Sequence, residues 1–355
     1  MTKPRLLVVT SVHHPDDARI RSKLIPTLAR EWDVSYAASA PGPTDTSDHT
    51  WLPLAGTRLE RLRQAARLMN EDGWDLVALH DPELLIPGLW RARTGKATLF
   101  DLHENLPAQL RTRRGIPRPL RPVAAGIARW VLKMAEASMA ITLAEPGYAN
   151  LFVAEHPVIA NYLPPEMPDP RPPADPPYVA YLGDITVVRG AFLAIEAAAG
   201  AGQALVMVGR VSPPTLATPL QRRADELGVE LRLLGPKPHR EALDIVASAS
   251  AGLSPLFDIG NYRHSLPTKV PEYLALGLPV LASDLPGTRD AVEGLEGVTF
   301  VTPGDGAAWK EAGRALAAED PVRRERAAAQ ADEVKRRFTW PEDEVLSAYR
   351  KAARL

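Results

Sequence analysis

The sequence contains no cysteine. Thiolate nucleophiles, disulfide frameworks and cysteine-ligated metals are excluded with it, and the absence suits a reducing cytoplasm. An excess of one charge is missing too. The 42 lysines and arginines face 43 aspartates and glutamates, so net charge gives no footprint for nucleic acid. No segment supplies the roughly 18 uninterrupted apolar residues of a membrane span. The N-terminus, from Met1 to Thr10, offers a short apolar strand rather than the core of a leader. The expectation is a cytoplasmic protein, neither secreted nor membrane-spanning. After the first apolar run no Gly-x-Gly-x-x-Gly occurs, which argues against a dinucleotide site there.

What is present is alternation. At 355 residues the chain is long enough for two domains, each with its own core. Buried-strand patterns at 5–10, 33–38, 75–80, 97–103, 138–142 and 156–161 alternate with helical segments, as in a doubly wound parallel sheet. Eight prolines between Tyr162 and Pro177 read as a stiff linker. The alternation restarts at 178–183 and runs through 204–209, 229–235, 251–256, 279–283 and 298–302. The expected domains are therefore residues 1–161, a linker over 162–177, a second Rossmann-like domain over 178–338, and a final helix within 339–355. Two such sheets place ligand-binding loops at the carboxyl ends of their strands.

The densest chemistry lies between His264 and Asp284. A loop leads to a helix starting near Thr268, Gly277 ends it, and a buried strand follows. Lys269 and Glu272 then fall on the first helical turn. A lysine and backbone amides suit a diphosphate, and a carboxylate suits a ribose diol, so the set fits a sugar nucleotide. As an exposed i, i+3 ion pair the same two residues would contribute only a few tenths of a kcal/mol. Gly260 and Asn261 read as an open turn beside them. A second segment, from Tyr181 to Gly190, places Gly183 in a turn after a strand and Arg189 ahead of a helix, within reach of phosphate.

Together these segments resemble the nucleotide-sugar site of retaining glycosyltransferases of family 4, and the resemblance runs from Leu6 to about Tyr349. It implies the α/β GT-B fold, two Rossmann-like doubly wound parallel-sheet domains facing a central cleft, with the C-terminal helix crossing back to the N-terminal, acceptor-side domain and Trp340 anchoring the crossing. It implies that Glu272 holds the ribose, that Arg189 and Lys269 act on the diphosphate, and that Gly183, His264, Ser265 and Leu266 complete the donor site. His264 stands where the family usually has a glutamate facing the sugar, and Asp184 where a second basic residue is common. His103, at the end of a first-half strand, would contact the donor sugar, with Glu104 orienting the site. Asp17, Arg19, His80 and Glu104 are the acceptor-side candidates.

Asp-x-Asp is absent, so a metal-chelated diphosphate is not expected, nor any cofactor or metal. The implied activity is metal-independent transfer, with retention, from a nucleoside-diphosphate sugar, UDP-sugars being favoured in the family, to a hydroxyl acceptor. The alternatives are a nucleotide-sugar 2-epimerase of the same fold, using groups such as Asp101, Glu104 and His264, and a non-catalytic two-domain binding protein. One charge asymmetry remains. From Leu106 to Ala135 there are seven cations, Arg111, Arg113, Arg114, Arg118, Arg121, Arg129 and Lys133, and no acid. Interleaved with apolar residues, they suit a lipid-linked or anionic acceptor, or peripheral contact with the inner membrane face. They equally suit a solvated helix face.

Overall fold

The computed structural model describes residues 2–354 apart from 44, 113, 114, 261 and 319, and without the side chains of 112, 320, 321 and 323. Arg113 and Arg114 of the basic stretch, and Asn261 of the turn, thus lie outside the described residues. The chain forms two units, Met1–Asn161 with Trp340–Leu355, and Tyr162–Thr339.

The first unit carries β1 (Arg5–Val9), β2 (Asp33–Ser39), β3 (Thr50–Leu54), β4 (Leu76–Leu79), β5 (Thr98–Leu102) and β6 (Ala140–Leu143) in the order β3-β2-β1-β4-β5-β6. Every pairing is parallel. Side chains alternate across β1: Leu7 and Val9 enter one core, Leu6 and Val8 the other, so the strand is apolar throughout. The edge strand β3 was not expected from the sequence. Its Pro53 has no N–H to give to a ladder, which an edge position tolerates. The expected strand at 156–161 is instead a single bridge, Leu143 to Val158.

The second unit repeats the plan with β7 (Tyr178–Leu182), β8 (Ala204–Val208), β9 (Leu231–Leu233), β10 (Ala251–Ser254), β11 (Val280–Ser283) and β12 (Val298–Val301), ordered β12-β11-β10-β7-β8-β9. Val179 and Tyr181 face one core, Tyr178, Ala180 and Leu182 the other. The proline-rich stretch packs onto this unit rather than standing apart as a linker. Leu163 is buried in its core and donates its backbone N–H to Phe338 O, and Ala174 N–H reaches Ser248 O.

The last helix, Glu342–Ala353, belongs to the first unit. Trp340, ahead of it, is buried there and donates its indole N–H to Thr27 Oγ1 at 3.0 Å. Val345 and Tyr349 join the core that holds Leu6 and Val8.

Candidate functional site

In each sheet the strand order reverses at one point, and loops leaving the two strands there diverge to opposite faces and open a crevice. In the second unit that point lies between β7 and β10, and the segments singled out in the sequence leave from these strands. Gly183 follows β7 with φ +111°. Gly190 starts the next helix at φ +79°, and a Cβ there would stand 1.8 Å from Pro255 O, so only glycine lets the two loops close on each other.

Lys269 and Glu272 sit on the short helix Lys269–Ala275 and are buried, which removes the reading as an exposed ion pair. Lys269 Nζ lies 3.7 Å from the centre of the Tyr181 ring and has no hydrogen-bond partner among the described residues. Burial, and secondarily the charge of Arg189, holds its ammonium well below the usual lysine range. The Arg189 guanidinium lies at the Gly183 turn: Nη1 is 4.0 Å from where a Cβ of Gly183 would be. Burial would lower its pKa, but Tyr262 and Asp184 raise it. Glu272 Oε1 is 2.9 Å from His239 Nε2. His264 is exposed, its backbone close against Gly287, while Ser265 and Leu266 lead to the helix and Leu266 packs on the core.

Two residues here escaped the sequence reading. His239 starts the helix His239–Val246 and its pairing with Glu272 spans 33 residues, which no local pattern shows. Arg210 follows β8, the neighbour of β7, and reaches Asp184 at 3.5 Å. A cation is thus supplied beside Asp184 from the next strand, and the Gly209-Arg210 step at a strand end was its signal.

In the first unit the reversal lies between β1 and β4. Asp81, after β4, ties the loop leaving β1 by accepting from Thr10 Oγ1, Ser11 N and Val12 N. Asp17 accepts from the backbone N–H of Arg19 and Ile20, and its other oxygen meets His13 Nδ1 at 3.2 Å. Burial would lower the His13 pKa, but Asp17, Asp81 and Glu104 raise it to about 9. Asp17 therefore holds the loop, and its carboxylate is already engaged.

Arg19 is buried and committed. It grips Asp101 at 3.0–3.2 Å through Nη2 and Nε, donates Nη1–H to Ile159 O at 2.7 Å, and lies 3.3 Å from His103 Nε2. Asp101 also accepts from Thr142 Oγ1. His103 Nε2 is 2.8 Å from Asp101 Oδ2 and 3.2 Å from His80 Nδ1, and His80 is fully enclosed. Burial pushes the His103 pKa down to about 4 against the pull of Asp101, so the ring is neutral at pH 7. A neutral ring whose Nε2–H donates to Asp101 keeps Nδ1 as an acceptor. Glu104 is exposed and bonded to Gln109. Glu145, which the sequence did not flag, follows β6, and burial lifts its carboxyl to about 8.

Among the described residues His80, Asp101 and His103 bring three metal-ligand-type atoms within 4.8 Å. The Arg19 guanidinium already lies against two of them, Asp101 Oδ2 and His103 Nε2, where a metal ion would meet a fixed positive charge.

Residues 176–319 match the family model described as Glycosyl transferases group 1. That segment holds Gly183, Arg189, His264, Ser265, Leu266, Lys269 and Glu272 but not His103. The chain is 30% identical over 190 residues to a D-inositol 3-phosphate glycosyltransferase of Xylanimonas cellulosilytica, covering 51% of this chain and 44% of that protein. It thus spans less than half the length of this curated relative. Among solved structures it is similar to sucrose-phosphate synthase of Thermosynechococcus elongatus, TM-score 0.75 at 17% identity over 97% of both chains. It is also similar to HepE of Anabaena solved with UDP-glucose, TM-score 0.71 at 16% identity over 99% of this chain and 98% of that one. The fold is GT-B.

Proposed function

We propose that the chain is a retaining glycosyltransferase of family 4 that moves a sugar from a UDP-sugar to a hydroxyl acceptor without a metal ion. The observation that carries this reading is Lys269: a buried amino group with no hydrogen-bond partner among the described residues, beside Arg189, at the reversal point of the second sheet. Buried polar groups are normally satisfied, and an unsatisfied amine held below its usual pKa beside a second basic group is completed, and charged, by an anion. A diphosphate supplies it. HepE of Anabaena, similar in fold, is solved with UDP and with UDP-glucose, which favours uridine.

In this reading Arg189 and Lys269 stabilise the charge growing on the departing diphosphate, and Glu272, oriented by His239, accepts from the ribose hydroxyls. His103, neutral, offers Nδ1 to a sugar hydroxyl, and the leaving phosphate takes the acceptor proton. No protein nucleophile is needed. Gly183, Ser265 and Leu266 line the donor, and His264 faces the sugar in place of the glutamate usual in the resembled family.

Titration with UDP, GDP, ADP and TDP tests the reading, UDP being expected to bind most tightly. Glu272→Ala is expected to weaken UDP binding by about 1.5–3 kcal/mol with the fold preserved, the cost of a lost charge-assisted hydrogen bond. Unchanged affinity in the folded variant removes the ribose role. Transfer is expected to proceed undiminished in EDTA, and restoration of a lost activity by magnesium or manganese would overturn the metal-free mechanism. Release of a free epimerised nucleotide sugar without acceptor would point to the epimerase instead.

A further inference from the structure

Seven tryptophans occur in the chain, and Trp32, Trp309 and Trp340 are the large buried anchors expected of that residue. Two others do the opposite. Trp90 is 66% exposed on the helix Leu85–Arg93 and Trp130 is 62% exposed on the helix Arg121–Glu136. Neither is alone. Ile86 lies one turn from Trp90, and Leu120, Val123 and Ile127 precede Trp130 at spacings of three and four residues, all of them more than half exposed. The longer helix buries Ala125, Ala128, Leu132 and Ala135 at the same spacing, so its outward stripe is a second apolar face rather than a spill-over of the core. The two helices pack against each other within the first unit.

Charge decides what such a face meets. Neither Leu85–Arg93 nor Leu106–Ala135 contains an aspartate or glutamate. Helical periodicity puts the exposed Arg129 and Lys133 along one flank of the stripe, and the exposed Arg118 stands just before it. The acids beside these segments are engaged: Glu83 with Arg58 and Ser11, Glu136 with His156 and the backbone N–H groups of Val153 and Ala154, Glu104 with Gln109. Aliphatic residues and tryptophan rimmed by cations, with no acid among them, are the pattern of a helix lying in an interface of apolar interior and anionic surface. No helix among the described residues is long and apolar enough to cross a membrane, so the contact is peripheral.

We propose that the first unit docks on an anionic lipid bilayer through the outer faces of the helices Leu85–Arg93 and Arg121–Glu136, with Trp90, Ile127 and Trp130 seated at headgroup depth. The inference goes beyond the donor reading and does not depend on it. Cosedimentation with phosphatidylcholine vesicles, alone and in equimolar mixture with phosphatidylglycerol, tests it at low and high salt. Binding is expected to the mixed vesicles only, and to fall about tenfold or more at high salt. Trp90→Ser with Trp130→Ser is expected to weaken it roughly tenfold and to abolish quenching of tryptophan fluorescence by brominated lipid. Arg118→Ser, Arg129→Ser and Lys133→Ser together are expected to cost about fivefold per cation. Thermal melting and UDP titration of each variant separate a failed fold or a failed donor reading from a failed docking surface. Equal binding to both vesicle types, no binding, or binding that ignores the tryptophans overturns the proposal. So does a wild-type dimer that the double tryptophan variant dissolves, since the face would then belong to a second copy of the chain.

Discussion

Alanine at Lys269 or Arg189 is expected to lower glycosyl transfer roughly a hundredfold each while leaving the melting temperature nearly unchanged, by the cost of removing one preorganised charge donor. Among the described residues Lys269 has no hydrogen bond to lose, so its removal leaves no orphaned partner there. The same side chain also makes donor binding proton-linked. Burial and Arg189 depress its pKa in the free protein, and a diphosphate beside it raises that value again. Binding therefore takes up a proton in the window between the free and bound values, and affinity falls as pH rises through that window. Calorimetric titration of UDP across pH, in buffers of different ionisation enthalpy, is expected to show a pH window of extra proton uptake for the wild type relative to Lys269→Ala. A Lys269→Ala enzyme with wild-type turnover would remove Lys269 from the mechanism.

Asp101→Ala is expected to destabilise the protein by about 3–5 kcal/mol, because it strands the buried Arg19 guanidinium without its counter-charge. Replacing both members by apolar residues, Arg19→Met with Asp101→Leu, is expected to cost much less, since no charge is then left buried. Denaturant unfolding of the three proteins checks this. Equal losses for the single and double variants would mean that packing, not charge, holds the cluster. The pair should also survive acid. Burial works against the Asp101 carboxylate, but Arg19 and His103 hold it well below the ordinary carboxylate value. Its contribution is complete above that ordinary value and is lost only as pH falls through the depressed one.

The parallel strands were legible wherever they are buried on both faces, because such strands read as unbroken apolar runs: β1, β7 and β11 lie within the expected spans. Reading failed at the edges. Thr50–Leu54 carries a proline and is only half covered, while the apolar residues of 156–161 pack without a ladder. Lys269, Glu272, Gly183 and Arg189 were legible because glycine turns and charged residues at strand ends are local signals. His239 was not, since its partner lies 33 residues away and only folding brings the two elements together. Arg210 carried the same kind of local signal in Gly209-Arg210, but its pairing with Asp184, 26 residues away, had none. Arg19 shows the converse. Its place in the loop after the first strand made it an acceptor-side candidate, yet Asp101 on β5 takes its Nε and Nη2 and Ile159 O its Nη1.

The return of residues 340–355 to the first unit bears on the order in which the nascent chain can finish folding. Domains made on the ribosome generally complete in sequence, N-terminal first. Here the second unit is one uninterrupted segment, whereas the first waits for Trp340, Val345 and Tyr349 to close the core around Leu6 and Val8. The unit begun first is thus completed last. Until the final helix emerges, Thr27 lacks its indole partner and an apolar surface stays uncovered, so a chain stopped before Trp340 leaves the first unit, not the second, open to aggregation and proteolysis.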